Sequence, residues 1–491
     1  MSDELSALRA QIDAIDEQLV ELLRARMAVC AQVADYKRDH GLPALDAARE
    51  RVLLDKVAAQ AGPELSDDTK AVFRSIMAGS RARQTLRCGL IGMPLGHSFS
   101  PAIHAKLGSY RYELFELREE ELGPFLRSGC FDGVNVTIPY KKAAMAFCDE
   151  LTEQARHVGC VNTVVARPDG TLLGHNTDYD GFCYLLSSAG IEVRGRKTIV
   201  LGTGGASCTV QAVLRDLGAA EIISVSRCGE TDYHNVYAHT DAALLVNATP
   251  VGMFPETGVS PVELARLPGV QAVIDVIYNP AKTQLLLDAE KRGLTAVNGL
   301  GMLVAQAKAA AECFTGRSIN DAVIARICRE IERDTKNLLL IGMPGCGKTT
   351  VGRALAETVG RAFVDLDELA EERAGKSISE IFAADGEDAF RALEHGLLCE
   401  NAKRSGLVIA CGGGVVTRGE NLDPMRQNST VVWLLRDLDR LPTEGRPLSR
   451  KRPLTELFAE REPLYRTASD CTVDNNGPVA DTVRQILEAV P

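Results

Sequence analysis

Apolar positions along the first forty or so residues recur at helical spacing. Leu5, Leu8, Ile12, Ile15, Leu19 and Leu22 fall three or four apart, and neither Gly nor Pro interrupts the chain from Met1 to His40. The spacing predicts one long helix, ended by Gly41 and Pro43. A second helix is predicted through Arg49, Leu53 and Val57, broken at Gly62 and Pro63. A third runs from Ser66 or Asp67 to near Gln84. A helix of about 40 residues spans roughly 60 Å. Its apolar face is more than two short helices can cover, so the pattern predicts a homodimer.

From Arg87 the pattern changes. Short apolar runs bounded by Gly, Pro and Asn alternate with helical stretches: CGLIG, GVNVTIP, TIVLGTGG, EIISVSR, ALLVNAT and AVIDVIY. This is the rhythm of open α/β sheets. It continues to about Asp334, the last helix being expected over Ser318 to Arg333. A third segment opens on NLLLIGMPGCGKTT at Asn337. Three regions are therefore expected, over 1–86, 87–334 and 335–491, with short joins and no repeats.

The length of 491 residues suits about three domains. Apolar residues make up 45 % and charged residues 25 %, so a disordered chain or a small disulfide scaffold does not fit. The net charge of −11 argues against a general nucleic-acid or anionic-membrane binder. Any phosphate or carboxylate site must be a local basic pocket. The 14 cysteines form no C-x-x-C pair, and Cys30, Cys313 and Cys328 lie in apolar or helical stretches, as buried small hydrophobes do. That usage suits a reducing compartment rather than a structural zinc site. The opening residues lack the regions of a signal peptide, and no apolar run approaches the ~18 residues of a membrane span. A cytoplasmic protein without membrane or nucleic-acid partners is expected.

The most specific motif is Gly342-Met-Pro-Gly345-Cys-Gly347-Lys348-Thr349-Thr350, a G-x-x-x-x-G-K-[ST] loop after an apolar strand and before a helical pattern. Its backbone N–H groups surround phosphates, Lys348 reaches the outer ones, and Thr349 can ligate Mg²⁺. Downstream, Asp365 and Asp367 stand two apart in a predicted strand and so share a face. One could hold the metal and the other an acceptor hydroxyl. Arg391 and Glu394 lie at i, i+3 on one helical face. Cys411-Gly412-Gly413-Gly414 follows the strand LVIA, where bare backbone can approach a ligand. EGRPLSRKRPL then reads as a mobile basic lid ahead of EREPLY. The set DLDEL, FRALE, GGGVVT, GRPL and REPLY resembles shikimate kinase across the whole segment. That resemblance implies ATP and Mg²⁺, with Asp367 orienting the substrate hydroxyl. It also implies Arg391 and Arg461 clamping the shikimate carboxylate, Gly413 and Gly414 closing on it, and Arg446 neutralising the transferring phosphoryl group.

In the middle region, Gly202-Thr-Gly204-Gly205-Ala206-Ser207 places a Gly-rich turn between a strand and a helix. The next strand ends in Ser226-Arg227, where an Arg suits a ribose 2′-phosphate, so NADP is favoured over NAD. A separate α/β half before it holds His97-Ser98-Phe-Ser100-Pro101, Asn135-Val-Thr137-Ile-Pro-Tyr-Lys141 and Asn176-Thr-Asp178. Together these supply hydroxyl, amide, ammonium and carboxylate groups of the kind a polyhydroxy acid needs. They resemble shikimate dehydrogenase, as does Asn298-Gly299-Leu-Gly-Met-Leu-Val-Ala-Gln306. The resemblance implies a substrate lobe over about 87–190, a Rossmann-like NADP lobe over about 191–300, and C-terminal helices returning to the substrate lobe. It makes Lys141 and Asp178 the catalytic pair, with Ser98, Ser100, Asn135, Thr137, Asn162, Tyr278 and Gln306 around 3-dehydroshikimate. A ketone accepting hydride needs a proton at its oxygen. Lys141 beside Asp178 can provide one while its charge stabilises the transition state, and either residue can be the donor. One departure is the short stretch from Arg227 to Asn247, where many family members carry a longer helix with a second Arg.

On the first helix, Arg26 and Lys37 are about three turns apart and share a face. Arg9 lies roughly 25 Å from Arg26 and about 100° off that face. One straight helix cannot bring Arg9 and Arg26 to one small molecule, whereas a partner's helix can. These residues, with Asp46, Arg49 and Glu50 of LDAARER and Ser80 and Gln84 of GSRARQ, resemble the all-helical class of chorismate mutase. By that resemblance Arg9 of the other subunit, Arg26, Lys37 and Arg49 bind the carboxylates and ether oxygen of chorismate, with Gln84 assisting. The expected architecture is therefore multidomain: an all-α dimerising domain, a two-lobed α/β dehydrogenase and a P-loop α/β kinase. The alternative is a bifunctional dehydrogenase–kinase whose helical domain senses chorismate or a product, or only dimerises.

Overall fold

A computed structural model describes residues 2–40, 46–84, 86–96, 98–167, 169–441 and 453–490. Its chain forms two compact units. The first holds Met1–Arg156, Val161–Asn176 and Lys308–Ile319; the second holds His157–Cys160, Thr177–Ala307 and Asn320–Pro491.

In the first unit the long uninterrupted apolar repeat forms α1 (Ser2–Asp39), followed by α2 (Ala47–Ala61) and α3 (Ser66–Gln84). Asp46 caps α2 by accepting from the Arg49 N–H at 3.0 Å, and Gly62 ends it with φ 75°. Packing of α1 against α3 is confined to its second half, around Arg26, Met27 and Cys30. Leu5, Leu8, Ile12, Ile15, Leu19 and Leu22 are all at least half exposed. An apolar stripe of this length stays in water within the single chain.

The same unit contains a six-stranded mixed sheet built from β1 (Arg87–Gly92), β2 (Arg111–Glu116), β3 (Gly133–Val136), β4 (Glu150–Leu151), β5 (Thr163–Ala166) and β6 (Leu172–His175), ordered β2-β1-β3-β5-β6-β4. The strands β1, β2 and β3 run parallel, while β5 is antiparallel to both β3 and β6. Ile91, Val134, Val136, Val161 and Val164 fill its core with Leu122, Leu126 and Phe131.

The second unit has two five-stranded sheets, parallel throughout. The first joins β7 (Lys197–Leu201), β8 (Glu221–Val225), β9 (Leu244–Asn247), β10 (Ala272–Asp275) and β11 (Thr295–Val297) in the order β11-β10-β9-β7-β8. The other joins β12 (Asn337–Ile341), β13 (Ala362–Asp365), β14 (Leu407–Ala410), β15 (Ser429–Leu435) and β16 (Cys471–Asp474) in the order β13-β14-β12-β15-β16. The strands β7, β9, β10, β12 and β14 are almost continuously apolar and buried, as expected of strands covered on both faces. In both sheets the chain order reverses beside the central strand, and crevices at such points bind ligands.

Three expectations change. The last helix before Asn337 starts at Ala322, not Ser318, because Ser318 to Asp321 form its lead-in. Cys30, Cys313 and Cys328 are only partly buried, and the buried thiols are Cys88, Cys160, Cys346 and Cys411. The strand β13 stops at Asp365, so Asp367 does not share a strand face with it; Asp367 lies in the first turn of the helix Leu366–Ala374.

Candidate active sites

The phosphate loop connects β12 to the helix Lys348–Val359. Gly345 and Gly347 have φ of 85° and 101°, which only glycine adopts without strain, and this turns successive N–H groups toward the helix N-terminus. Lys348 is buried and donates to the carbonyls of Gly342 and Met343 at 3.0 and 3.1 Å, holding its ammonium over the loop. Asn475 Nδ2 donates to the Cys346 carbonyl from the far side. Thr349 Oγ1 donates to Asp365 Oδ2 at 2.7 Å. This hydroxyl and carboxylate fit a hard cation beside bound phosphates, since Mg²⁺ takes oxygen ligands. Asp365 also caps its helix, accepting from the N–H groups of Asp367 and Glu368.

Asp367, Arg391, Glu394, Gly412–Gly414 and Arg461 converge beside this loop. Arg391 Nη1 donates to Glu394 Oε2 at 2.7 Å, and both residues are buried at 5 % and 1 % exposure. The i, i+3 pair is therefore an interior ion pair. Burial pushes the Asp367 carboxyl up to about 6, against the opposing pull of the Lys348 charge. Burial also raises Glu394, with Arg391 opposing. The glycines face protein neighbours: a Cβ at Gly412 would displace the Glu394 carboxylate, and one at Gly414 the Arg391 guanidinium. The Gly413 carbonyl accepts from Arg461 Nη1 at 3.0 Å and from the Tyr465 hydroxyl. Among the described residues, Arg391 Nε, Glu394 Oε1 and Arg461 Nε are buried without a hydrogen-bond partner. Buried unpaired charged groups are costly, and a polar, anionic ligand would relieve the two arginines. Arg446 and the rest of the basic stretch lie outside the described residues.

In the other parallel sheet, β7 leads through Gly202 (φ 104°) and Gly204 into the helix Gly205–Asp216, which carries Ala206 in its first turn. Ser207 Oγ donates to the Gly202 carbonyl at 2.6 Å and closes the turn. Ser226 and Arg227 follow β8 directly, and Arg227 is exposed. The segment 228–243 carries one helical turn, Val236–Ala238. These groups fit a dinucleotide pyrophosphate and a ribose phosphate. Gly299 packs against the backbone of Val276, where no Cβ fits. Burial raises the Tyr278 hydroxyl. Gln306 is buried, its Oε1 accepting from Thr177 Oγ1 at 3.5 Å. Asp178 is buried at the start of the helix Asp178–Ser188.

The first unit holds the polar cluster of the mixed sheet. Asn135 on β3 accepts from the Tyr112 hydroxyl at 2.8 Å and donates to Thr163 Oγ1 at 3.0 Å. Asn162 Oδ1 accepts from Thr163 Oγ1 at 3.1 Å. Ser98 Oγ accepts from the Ser100 N–H at the head of the helix Ser100–Leu107. Thr137 and Lys141 are half-buried just past β3. In the helical region, Arg26 Nη1 donates to Ser80 Oγ at 2.6 Å, joining α1 to α3 across 54 residues. Lys37 and Glu50 are half-buried, while Arg9, Asp46 and Arg49 are exposed. The Gln84 side chain lies outside the described residues.

Tyr112, Thr163, Tyr465 and Asn475 were not singled out from sequence. Only Tyr465, in the REPLY motif, carried a sequence signal; the others act by holding a neighbour that a linear pattern does not reveal.

Three family models match: chorismate mutase type II over residues 8–85, the shikimate dehydrogenase substrate binding domain over 90–164, and shikimate kinase over 344–491. The shikimate dehydrogenase (NADP(+)) of Shouchella clausii is 37 % identical over 276 residues, covering 50 % of this chain and 98 % of that protein. The shikimate dehydrogenase (NADP(+)) of Methanopyrus kandleri is 39 % identical over 261 residues, covering 46 % of this chain and 89 % of that protein. A solved structure of a chorismate mutase/shikimate 5-dehydrogenase fusion protein from Clostridium acetobutylicum is 36 % identical and covers 51 % of this chain and 98 % of that one, at a TM-score of 0.49. The chain belongs to the shikimate dehydrogenase family through its middle half, preceded by a chorismate mutase type II region and followed by a shikimate kinase region.

Proposed function

We propose that the chain carries three activities of aromatic amino-acid precursor synthesis: rearrangement of chorismate to prephenate, NADPH-dependent reduction of 3-dehydroshikimate to shikimate, and MgATP-dependent phosphorylation of the shikimate 3-hydroxyl. Their domains are 1–86, 87–334 and 335–491.

In the kinase the Asp367 carboxylate orients the acceptor hydroxyl and takes its proton as the new O–P bond forms and the bond from that phosphorus to the bridging oxygen breaks, releasing ADP. Arg391 and Arg461 hold the substrate carboxylate, so the hydroxyl faces the phosphate loop. The chemistry needs positioning and positive charge rather than a covalent intermediate. Lys348 provides that charge from the loop, and Thr349 and Asp365 would hold the Mg²⁺, which when bound neutralises phosphate charge.

In the dehydrogenase Gly202–Ala206, Ser226 and Arg227 would hold NADP(H), which when bound supplies the hydride. Lys141 and Asp178 form the acid–base pair that delivers a proton to the substrate oxygen, and the Lys141 charge stabilises the developing alkoxide. Ser98, Ser100, Asn135, Thr137, Asn162, Tyr278 and Gln306 bind the hydroxyl and carboxylate groups.

In the mutase one C–O bond breaks and one C–C bond forms within a single molecule, so no proton or cofactor is consumed. Arg26, Lys37 and Arg49, with Arg9 of the second subunit, hold the reactive chair and stabilise negative charge on the ether oxygen. The half-exposed stripe on α1 supports a homodimer through this region. Fourteen free thiols support a cytoplasmic location. No helix among the described residues is long and apolar enough to cross a membrane.

The observation that carries the third activity is the Arg26–Ser80 contact, which brings one proposed ligand-binding residue of α1 beside one of α3. The test is chorismate turnover by the intact chain beside Arg26→Ala. Prephenate formation that collapses in the variant supports three working sites. No turnover, with dehydrogenase and kinase rates intact, leaves a two-enzyme chain with a helical sensor or clamp.

A further inference from the structure

Within the second unit, the sheet that would bind the dinucleotide is fastened to the kinase region by a defined set of contacts. The backbone N–H groups of Ala281 and Lys282 donate to Asn428 Oδ1 at 3.2 Å and to the Gln427 carbonyl at 2.8 Å. In the helix Gln284–Lys291 that follows, Gln284 Nε2 and Lys291 Nζ both donate to Asp423 Oδ2, at 2.9 and 2.6 Å. The Asp423 side chain is 25 % exposed. One carboxylate oxygen thus takes two donors from another region of the chain.

Asp423 lies in the short helix Leu422–Gln427, directly after the turn Gly419–Asn421. Asn421 is 1 % exposed. Its Nδ2 donates to the Val415 carbonyl at 2.7 Å, and its Oδ1 lies 2.7 Å from His395 Nδ1. The Val415 N–H donates to the Gly412 carbonyl at 3.2 Å, and Thr417 Oγ1 donates to the Gly414 carbonyl at 2.7 Å. His395 follows Glu394 in the helix that presents Arg391. Asn421 therefore ties the glycine turn to the arginine helix, and Asp423 anchors the element that carries Asn421.

We propose that Lys291 and Gln284, acting through Asp423 and Asn421, are positioning residues for the acceptor side of the kinase. The dehydrogenase cofactor lobe then serves as a wall that holds the kinase's Gly412–Gly414 turn in its substrate-binding shape. The inference rests on the kinase reading given above. A coupling of this kind changes the affinity for the acceptor, not the chemistry at the phosphate loop.

The experiment compares the full chain with Lys291→Glu, Asp423→Lys and the double charge swap. Lys291→Glu should raise the KM for shikimate about five-fold, the low end of typical site-to-site coupling. The KM for ATP and the dehydrogenase rate should not move. The double swap should recover the shikimate KM. Hydrogen exchange of the 412–421 amides should speed up in each single variant and return in the swap. Unchanged exchange and unchanged KM in both single variants would overturn the proposal, as would equal changes in the ATP and shikimate KM values. If the unsubstituted chain does not phosphorylate shikimate, the kinase reading fails, and exchange at 412–421 still decides the positioning role.

Discussion

Arg391 and Glu394 form an ion pair 2.7 Å long in the interior of the kinase region, and each keeps one buried polar atom without a partner. Glu394 fixes the guanidinium through Nη1 and leaves Nε unpartnered. Replacing Arg391 by Lys keeps the charge and removes the planar fork that matches a carboxylate. Arg391→Lys should raise the KM for shikimate about 10- to 100-fold, the range of a lost charge-assisted hydrogen bond, with the KM for ATP unchanged. Steady-state kinetics with each substrate varied in turn checks this.

Asp367 is the carboxylate assigned to the acceptor hydroxyl. Asp367→Asn keeps its shape and removes its ability to take a proton. The expected loss in kinase kcat is on the order of 10²- to 10⁴-fold, typical of a positioned acid–base group. Nucleotide affinity, read by ATP-analogue titration, should stay within about two-fold, since Asp367 is outside the phosphate loop.

Asp275, at the end of β10, provides a pH effect on stability. Its carboxylate accepts from Thr283 Oγ1 at 2.7 Å, Asn247 Nδ2 at 3.1 Å and the Ile277 N–H, yet burial dominates and raises it from 3.8 to about 6. Between those values the folded protein binds more protons at this site than the unfolded chain. Its contribution therefore favours folding most below the unfolded value and is lost as pH rises toward 6. Asp275→Asn should flatten this part of the pH–stability curve. Urea unfolding of both proteins from pH 4 to 7 measures the difference.

The α1 stripe should hold a dimer. Light scattering should give twice the chain mass, and Ile12→Glu with Leu19→Glu should give a monomer that loses chorismate turnover but keeps kinase activity. A monomeric unsubstituted chain would remove the partner's Arg9 from the mutase site.

Arg227 stands exposed after β8, where a ribose 2′-phosphate would lie. Arg227→Ala should lower kcat/KM with NADPH about ten-fold and leave the NADH value nearly unchanged, because NADH lacks that phosphate. Equal losses with both coenzymes would show that Arg227 does not read the phosphate.

Local signals made much of this protein legible before its structure. The long Gly- and Pro-free repeat is a helix because nothing in it breaks one. The apolar runs from CGLIG to AVIDVIY are strands, and the phosphate loop lies between β12 and its helix, since each of these is decided by neighbours in the chain. The positions of Lys348 and Thr349 at the head of that helix, and of Arg227 just past β8, could be read at that level. What tertiary packing alone decided is which distant groups share a site and how wet they are. Asp365 and Asp367 looked like one strand face, yet the chain turns into a helix between them. The spacing of Arg391 and Glu394 put them on one helical face, and only packing made them a buried ion pair. The glycines at 412 and 414 mark bare backbone in the sequence, and only packing sets the Glu394 carboxylate and the Arg391 guanidinium against them. Asn421 and Asp423 carried no signal at all, because a hydrogen bond between residues far apart in sequence depends on the fold that brings donor and acceptor together.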